Sequence, residues 1–454
     1  MKLYEFAQDK RYYTATYGCQ MNEHDSEVLA GMLEQIGFQK ADSEDDCDLL
    51  IINTCAVREK AEQKILSKIG ALKSYKEQKP NMIIAVGGCM VQQEHVANKI
   101  YRDFPHVDLI FGTHNMPQFP ALLDRAITQQ QRVKALEFDD TKVFENLPHK
   151  RGDAVKAWVV ISYGCDNYCK YCIVPYVRGR KRSRKIDQIR KEVEQLALQG
   201  YKEITLLGQN VNAYGKDLGM NNGFVALLEE VEKISGIERI RFMTSHPRDF
   251  DPKLAQLMAN SNKICEHVHL PIQSGSDKIL KKMGRGYTRE HYMKIVNQIK
   301  NYVPSVSITT DIIVGYPGET EDDFEETLDL VNMIEFDSAF TFAFSKRSGT
   351  PAAGMDEQVD EKTKKRRLQR LIDLQQHISK KKNKALEGTY QTILVEGVSK
   401  SNKDILSGRT RTDKLVHFSG SKDLIGQFVD VYITHAKAWT IYGELFPKPA
   451  RQMN

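Results

Sequence analysis

The stretch Cys165-Asp166-Asn167-Tyr168-Cys169-Lys170-Tyr171-Cys172 brings three cysteines into one short loop, directly after a predicted strand. Three thiolates in one loop can bind three irons of a [4Fe–4S] cluster, and no fourth cysteine is near in sequence. The remaining iron then stays open to a small molecule, as in a catalytic metal site. A zinc site is the alternative, although zinc usually takes four ligands with paired CxxC spacing. The spacing therefore favours a catalytic iron–sulfur centre.

Around this loop, strand and helix patterns alternate six times. Amphipathic helices separate the strands, as the spacing of Ile186, Ile189 and Val193 indicates. Connections between parallel strands are right-handed and usually local, so the pattern predicts a partial (β/α)6 barrel over residues 151–383. The predicted strands lie near Val159–Ser162, Glu203–Leu207, Ile240–Thr244, His267–Pro271, Ser307–Val314 and Phe340–Phe344.

A second α/β pattern occupies residues 11–127, which we predict to form an open domain with a parallel sheet. Cys19, Cys55 and Cys89 each follow a predicted strand of this domain. Strand ends of an open α/β sheet line one crevice, so the three cysteines are expected close together as a shared metal site. Buried structural cysteines are the alternative. The predicted strands are Tyr12–Tyr17, Leu49–Thr54, Met82–Val86 and Val107–Phe111.

The remaining segments differ in character from these two domains. Residues 128–150 are polar and irregular, which predicts a linker, and residues 359–386 predict a long charged helix. Residues 384–447 contain short β-rich runs broken by glycines, which indicates a small all-β barrel. The fold class is therefore α/β with a C-terminal β domain.

Composition restricts the class of protein. The chain has 454 residues with 41% hydrophobic and 28% charged residues, as in a soluble globular protein. The start lacks an apolar core and no apolar run approaches membrane-spanning length, so a cytoplasmic protein is expected. In a reducing compartment the eight cysteines favour metal binding or catalysis over disulfides. Cys47 and Cys265 lack such surroundings and are predicted core residues.

Taken together, the cysteine loop, the three N-terminal cysteines and the terminal barrel resemble the radical-SAM methylthiotransferase family over nearly the whole chain, with a TRAM-like last domain. Within that family, the chain most closely resembles the tRNA-modifying branch that acts on isopentenylated adenosine. Other branches carry Pro-Lys or Lys-Val after the first cysteine, where this chain has Gln20-Met21. The motifs that carry the resemblance are Gly18-Cys19-Gln20-Met21-Asn22, Asn53-Thr54-Cys55-Ala56-Val57-Arg58, Gly208-Gln209-Asn210-Val211-Asn212 and Arg241-Phe242-Met243-Thr244-Ser245-His246-Pro247.

The resemblance implies a reaction and its cofactors. Cys165, Cys169 and Cys172 would hold a cluster that cleaves S-adenosylmethionine (SAM) to a radical, which removes hydrogen from carbon 2 of adenine. Cys19, Cys55 and Cys89 would hold an auxiliary [4Fe–4S] cluster that supplies the sulfur, and two SAM molecules would be used per turnover. The resemblance further implies SAM contacts at the barrel strand ends, from Tyr171, Gly208, Gln209, Asn210, Gln273, Ser274, Asp311 and Gly315.

The implied partners are a tRNA carrying N6-isopentenyladenosine next to the anticodon and a reducing protein such as flavodoxin or ferredoxin, with the enzyme acting as a monomer. Two basic clusters could meet RNA phosphates, although a charge run is often only a solvated face. One is Arg178–Lys185, which includes Arg180, Arg182 and Arg184, and the other is the helix between Lys362 and Lys384.

Two alternatives to this function stay open at this stage. The same chemistry could act on a different acceptor, either a ribosomal protein or threonylcarbamoyl-adenosine. Alternatively, the chain could be a non-catalytic RNA-binding protein with two structural metal sites. Iron and sulfide content together with SAM cleavage would separate the second alternative from an enzyme.

Overall fold

The computed structural model of the chain describes residues 2–56, 59–152, 155–400 and 402–445. Its first domain is a parallel sheet with helices on both faces. The strands are β1 (Arg11–Thr16), β2 (Gln39–Lys40), β3 (Leu49–Thr54), β4 (Ile83–Gly88), β5 (Leu109–Phe111) and β6 (Val133–Ala135). The helices are α1 (Lys2–Ala7), α2 (Gln20–Ile36), α3 (Glu59–Gln78), α4 (Glu94–Asp103) and α5 (Phe119–Thr128).

The order of this sheet is β2-β1-β3-β4-β5-β6, with every neighbouring pair parallel. All six residues of β3 are buried, because helices cover both faces of a parallel sheet. Leu49 and Ile51 belong to one apolar core, while Leu50 and Ile52 belong to the core on the other face. The predicted open α/β domain is confirmed. Its sheet also includes β6, which lies in the segment predicted as a linker.

The second domain contains eight further strands and eight further helices. The strands are β7 (Lys156–Val160), β8 (Ser162–Tyr163), β9 (Arg182–Ser183), β10 (Glu203–Leu207), β11 (Arg239–Phe242), β12 (His267–His269), β13 (Ser307–Val314) and β14 (Ser338–Ala343). The helices are α6 (Val174–Arg178), α7 (Ile186–Leu198), α8 (Gly223–Glu232), α9 (Pro252–Asn260), α10 (Asp277–Met283), α11 (Arg289–Tyr302), α12 (Glu321–Ile334) and α13 (Glu361–Lys384).

Six of these strands form the predicted partial barrel. Strands β7, β10 and β11 pair in parallel, as do β12, β13 and β14. A parallel bridge between Ile240 and Ile264 links the two halves, and one apolar core runs through both. The carboxyl ends of all six strands therefore share one edge, where ligands of such barrels bind.

The third domain is a closed barrel of five short strands in the order β15-β16-β17-β19-β18. Its interior is filled by residues such as Ile393, Leu406 and Phe418, so the small all-β barrel is confirmed. The strands are β15 (Tyr390–Val398), β16 (Ile405–Arg409), β17 (Leu415–Ser419), β18 (Phe428–Ala436) and β19 (Ile441–Leu445). Among the residues described, no helix has both the length and the apolar character needed to cross a membrane.

Arg241 of β11 joins the small barrel to the large one. It is 5% exposed, pairs with the buried Glu203 at 3.0 Å, and donates to the backbone oxygens of Thr410 and Arg411. Arg239, on the same strand, donates to the backbone oxygens of Thr392 and Arg409. Two buried guanidinium groups thus hold the third domain against the second.

We expect Arg241→Ala to lower the free energy of unfolding by about 3–5 kcal/mol, because Glu203 would remain buried without its partner. Lys202→Ala is the matched control, since Lys202 pairs with Glu238 at 3.0 Å on the surface and such pairs contribute about 0–1 kcal/mol. Urea unfolding of both variants measures the difference. Equal losses in the two variants would contradict this role for Arg241.

Candidate active site

The three clustered cysteines lie on the loop between β8 and α6, at the carboxyl edge of the barrel. Cys165 and Cys169 are buried, whereas Cys172 is half-buried. The loop is held by backbone hydrogen bonds from Cys165 to Gly179 and from Lys170 to Met283. Burial raises the pKa of the Cys172 thiol to about 12, with neighbouring thiols adding to the effect. A metal would displace this proton, because thiols bind metals only as thiolates.

Arg285 lies against this loop, although the sequence reasoning did not single it out. It is 4% exposed and donates to Cys169 Sγ at 3.4 Å, to the Pro271 oxygen at 2.9 Å and to the Tyr287 hydroxyl at 2.9 Å. A buried guanidinium beside the cysteines would offset the negative charge of a thiolate-bound cluster. The sequence carries no specific signal for Arg285, because the segment from Lys281 to Arg285 has the pattern of an ordinary helix end.

Unpaired polar atoms mark the same edge of the barrel. Six buried side-chain atoms at or just beyond the strand ends lack a hydrogen-bond partner within the described chain. Leaving such an atom unpaired costs about 1–3 kcal/mol, so the edge fits a ligand with several donors and acceptors. The amino, carboxylate, ribose and adenine groups of SAM have that chemistry. The atoms are Ser162 Oγ, Gln209 Oε1, Asn210 Oδ1, Ser245 Oγ, His246 Nε2 and Gln273 Oε1.

Several residues predicted to contact SAM lie at this edge. The Asn210 amide donates to Asp249 at 2.7 Å, and Gln209 Oε1 is buried without a partner. Gly208 lies so close to Ser162 that an added Cβ would be 2.7 Å from the Ser162 hydroxyl. The Lys181 amine donates to the backbone oxygen of Asn210 at 2.8 Å. Burial lowers the pKa of this amine to about 8.

The other predicted SAM contacts have different surroundings. Asp311 lies 3.5 Å from the His269 ring and is partly exposed. Ser274 is fully buried and accepts from the Ser276 backbone, so its hydroxyl also stabilises the turn. Gly315 has φ 71° and donates its N–H to Glu319, while the half-buried Tyr171 packs edge-on against Tyr316. These contacts remain predictions.

The N-terminal cysteines follow three neighbouring strands, β1, β3 and β4. A Cβ added to Gly18 would lie 2.9 Å from Cys55 Cβ, so the loops of Cys19 and Cys55 touch. Asn22 accepts from Cys19 Sγ at 3.5 Å and donates to the Thr54 oxygen, which also accepts from the Cys89 backbone. The structure thus brings together three cysteines that are far apart in sequence.

Burial raises the pKa of the Cys89 thiol to about 12. The thiols of Cys55 and Cys19 also raise this pKa, whereas the Arg178 guanidinium lowers it. Within the residues that the structure describes, no three His, Cys, Asp or Glu side chains are grouped closely enough to bind a single metal ion. In a four-iron cluster each thiolate binds a different iron. Both cysteine sets therefore remain predicted cluster ligands, and Cys47 and Cys265 are buried as expected.

The two cysteine sets face each other across the domain boundary. Cys89 and Ala56 of the first domain pack against Ile173 and Val177, and Ile173 directly follows Cys172. The Thr113 hydroxyl also donates to the Val177 oxygen at 2.6 Å. The carboxyl ends of the two parallel sheets thus open toward one shared interface.

The four arginines predicted to contact phosphate are placed differently from one another. Arg184 is 6% exposed and pairs with Glu145 and Glu192 at 2.7 Å. Arg178 and Arg182 are also buried, at 6% and 7% exposure. Only Arg180 has an exposed side chain, with Asp166 at 3.7 Å. The buried guanidinium groups of Arg178, Arg182 and Arg184 cannot reach a phosphate without leaving the core, so phosphate contact stays a hypothesis for Arg180 alone of the four.

The predicted basic helix is α13, and much of its charge is already paired. Arg366, Arg367 and Arg370 pair with Glu321 of α12, and Lys382 pairs with the buried Asp337. Arg367 of α13 is buried and pairs with Glu319 at 2.9 Å, and Glu319 also accepts from the Gly315 backbone N–H. The helix is thereby held against the Gly315 loop. These pairs reduce the positive charge that the helix could present to RNA phosphates.

Comparison with known families assigns each domain. The Radical SAM superfamily matches residues 159–331, the Uncharacterized protein family UPF0004 matches residues 11–112, and the TRAM domain matches residues 384–446. A tRNA-2-methylthio-N(6)-dimethylallyladenosine synthase from Natranaerobius thermophilus is 70% identical over 446 residues, which cover 98% of this chain and 99% of that protein. Another from Carboxydothermus hydrogenoformans is 55% identical over 437 residues, which cover 96% and 99%.

Solved structures share the fold at low identity. The radical S-adenosylmethionine methyltransferase TsrM from Kitasatospora setae, with cobalamin and a [4Fe–4S] cluster bound, superposes with a TM-score of 0.55 and 15% identity. The match covers 76% of this chain and 77% of TsrM. The cobalamin-dependent radical enzyme OxsB superposes with a TM-score of 0.51 and 14% identity, covering 80% and 57%. The Radical SAM match implies SAM and a [4Fe–4S] cluster in the barrel.

Gln273 offers a direct test of the ligand edge, because its φ of 72° lies in the left-handed region. We expect Gln273→Gly to raise the free energy of unfolding by about 0.5–1 kcal/mol, through relief of backbone strain, and to weaken SAM binding. Gln130→Gly is the matched control, since Gln130 is exposed with φ 49°. It should gain similar stability without affecting SAM. Urea unfolding and equilibrium dialysis measure both, and unchanged SAM affinity in Gln273→Gly would exclude a ligand role.

Proposed function

This chain belongs to the family of tRNA-2-methylthio-N(6)-dimethylallyladenosine synthases, and from that premise we propose how its residues divide the work. The enzyme adds a methylthio group to carbon 2 of N6-isopentenyladenosine next to the anticodon of tRNA, using two SAM molecules per turnover. One observation carries this division: Cys89 belongs to the same small buried cluster as Ile173, which directly follows Cys172. This proximity supports a sulfur-carrying site and a radical-generating site at the same domain interface.

The barrel residues bind and orient the radical-generating group. Cys165, Cys169 and Cys172 hold its [4Fe–4S] cluster, and Arg285 donates to Cys169 Sγ. When bound, SAM and this cluster supply reductive cleavage of a carbon–sulfur bond and hydrogen removal from an unreactive C–H bond. The unpaired atoms of Gln209 and Gln273 at the strand ends bind polar groups of SAM. Burial of Cys165 and Cys169 keeps water away from these two sulfur atoms.

Cys19, Cys55 and Cys89 hold the auxiliary [4Fe–4S] cluster, which provides the sulfur for transfer. Their positions at the ends of three neighbouring strands, and the shared Thr54 oxygen that accepts from Asn22 and Cys89, support one common site. Soft thiolate ligands suit iron–sulfur clusters as well as zinc, so metal content has to distinguish the two.

The substrate is tRNA that already carries N6-isopentenyladenosine. The TRAM domain and Arg180 contact its phosphates, and the target base leaves the stack to reach carbon 2, as enzymes that modify bases require. A flavodoxin or ferredoxin supplies the electron, and the enzyme acts as a cytoplasmic monomer. The proposed domains are the N-terminal methylthiotransferase domain from residue 11 through β6, the barrel over 151–383 and the RNA-binding domain over 384–447.

The division of labour is tested by two triple variants. Changing Cys165, Cys169 and Cys172 to Ala should remove about four irons per chain and abolish SAM cleavage. Changing Cys19, Cys55 and Cys89 to Ala should also remove about four irons, yet leave SAM cleavage largely intact while eliminating methylthio transfer. Iron counts, 5′-deoxyadenosine yield and mass analysis of tRNA nucleosides provide the readouts. Bound zinc in place of iron, or SAM cleavage without the barrel cysteines, would overturn the proposal.

The RNA contact is tested by Arg180→Gln. One lost phosphate contact should flatten the salt dependence of tRNA affinity by about 0.7–0.9 units of slope, while SAM cleavage without tRNA persists. Arg190→Gln is the control, because Arg190 is exposed on α7 and pairs only loosely with Glu194 at 3.8 Å. Titration of fluorescent tRNA at several salt concentrations measures the slopes. Identical slopes for Arg180→Gln and the parent protein would place the RNA surface elsewhere.

A further inference from the structure

Arg178 spans the two cysteine sites. It is the last residue of α6, six positions after Cys172 along the chain. Its Nε donates to Cys89 Sγ at 3.2 Å, and its Nη2 donates to Asp25 Oδ2 at 2.6 Å. A single guanidinium therefore links the helix that follows the barrel cysteines to a cysteine of the first domain.

Asp25 balances this charge inside the protein. It is 6% exposed and lies on α2, the helix that begins directly after Cys19. Burial opposes ionisation of this carboxyl, but the Arg178 guanidinium and the neighbouring His24 outweigh burial and lower its pKa. His24 Nδ1 lies 3.9 Å from Asp25 Oδ1. The pair is therefore ionised and has no net charge.

The barrel site is built differently. Arg285 likewise donates to a cysteine sulfur, that of Cys169. Among the ion pairs of the described residues, however, none involves Arg285, whereas Arg178 pairs with Asp25 at 2.6 Å. Each cysteine set thus receives one N–H···S contact from a buried arginine, but only the N-terminal set has a carboxylate that cancels the positive charge.

We propose that Arg178 and Asp25 form an opposed pair of charges that sets the reduction potential of the cluster held by Cys19, Cys55 and Cys89, and that Arg178 positions Cys89 against the barrel loop. This inference rests on the auxiliary cluster of the proposed function. Net charge and hydrogen bonds to sulfur set cluster potentials. Because the pair is buried, each of its charges acts on the cluster with little screening by water.

The two single substitutions are expected to act in opposite directions. Arg178→Gln leaves the negative charge of Asp25 beside the cluster, so it should lower the potential. Asp25→Asn leaves the positive charge of Arg178, so it should raise the potential. The double variant removes both charges and should return the potential close to that of the parent. Loss of a merely structural contact would move both single variants in the same direction.

The measurement uses the full-length chain with Cys165, Cys169 and Cys172 changed to Ala, so that only the auxiliary cluster gives a signal. Redox titration followed by electron paramagnetic resonance, in alkaline buffer where free imidazole is neutral, gives the midpoint potential. Each single variant should change the one-electron equilibrium constant at least tenfold, which corresponds to about 59 mV. Arg190→Gln changes an exposed arginine of α7 and should shift the midpoint potential by less than about 59 mV.

If Arg178→Gln fails to hold iron, Arg178→Lys and Asp25→Asn decide the question. Lysine keeps the charge and should stay near the parent potential, whereas Asp25→Asn should still shift it upward. Shifts of the same sign in both charge variants, or no shift in Asp25→Asn, would overturn the inference while leaving the auxiliary cluster intact. Absence of iron in the parent itself would instead overturn the auxiliary cluster, and the inference with it.

Discussion

The arrangement depends on one constraint, which is that parallel strands expose all their carboxyl ends at a single edge. Both α/β domains follow this rule, and Ala56 and Cys89 of the first domain form one buried cluster with Ile173 and Val177 of the second. Three cysteines separated by tens of residues become neighbours only because β1, β3 and β4 are adjacent in the first sheet. The barrel cysteines are neighbours without any particular strand order, because all three lie in one loop. Two sites of different origin are thereby placed at one interface.

Several arginines are buried in this protein, and their positive charge is offset in two ways. Arg178 is neutralised by Asp25 and Arg184 by Glu145 and Glu192. Arg241 is neutralised by Glu203 while it holds the third domain. Arg285 has neutral oxygens and the Cys169 sulfur as partners instead. A cluster bound through thiolates carries negative charge, so the charge of Arg285 would be balanced only when the cluster is present.

Strained backbone and unpaired polar atoms both occur at the edge where the ligand would lie. Tyr168, Thr244 and Gln273 adopt positive φ although none is glycine, and each lies in a loop at the carboxyl edge of the barrel. Such conformations cost about 1–3 kcal/mol each and persist where the surrounding structure imposes them. Together with the unpaired oxygens of Gln209 and Asn210, they indicate an edge shaped for binding at the expense of stability.

The sequence by itself determined the fold class, the six-unit barrel and the six candidate cysteines, because strand periodicity and cysteine spacing are local properties of the chain. It also indicated the family, since the residues after Cys19 distinguish its branches. Tertiary structure alone decided which charges face solvent. The run Arg178–Lys185 has the composition of a solvated face. Asp25, Glu145 and Glu192 come from other segments, however, and pair with two of its arginines, Arg178 and Arg184, inside the protein. Tertiary structure also decided that β6 joins the first sheet and that Arg285 lies beside Cys169, because both contacts connect segments that are distant in sequence.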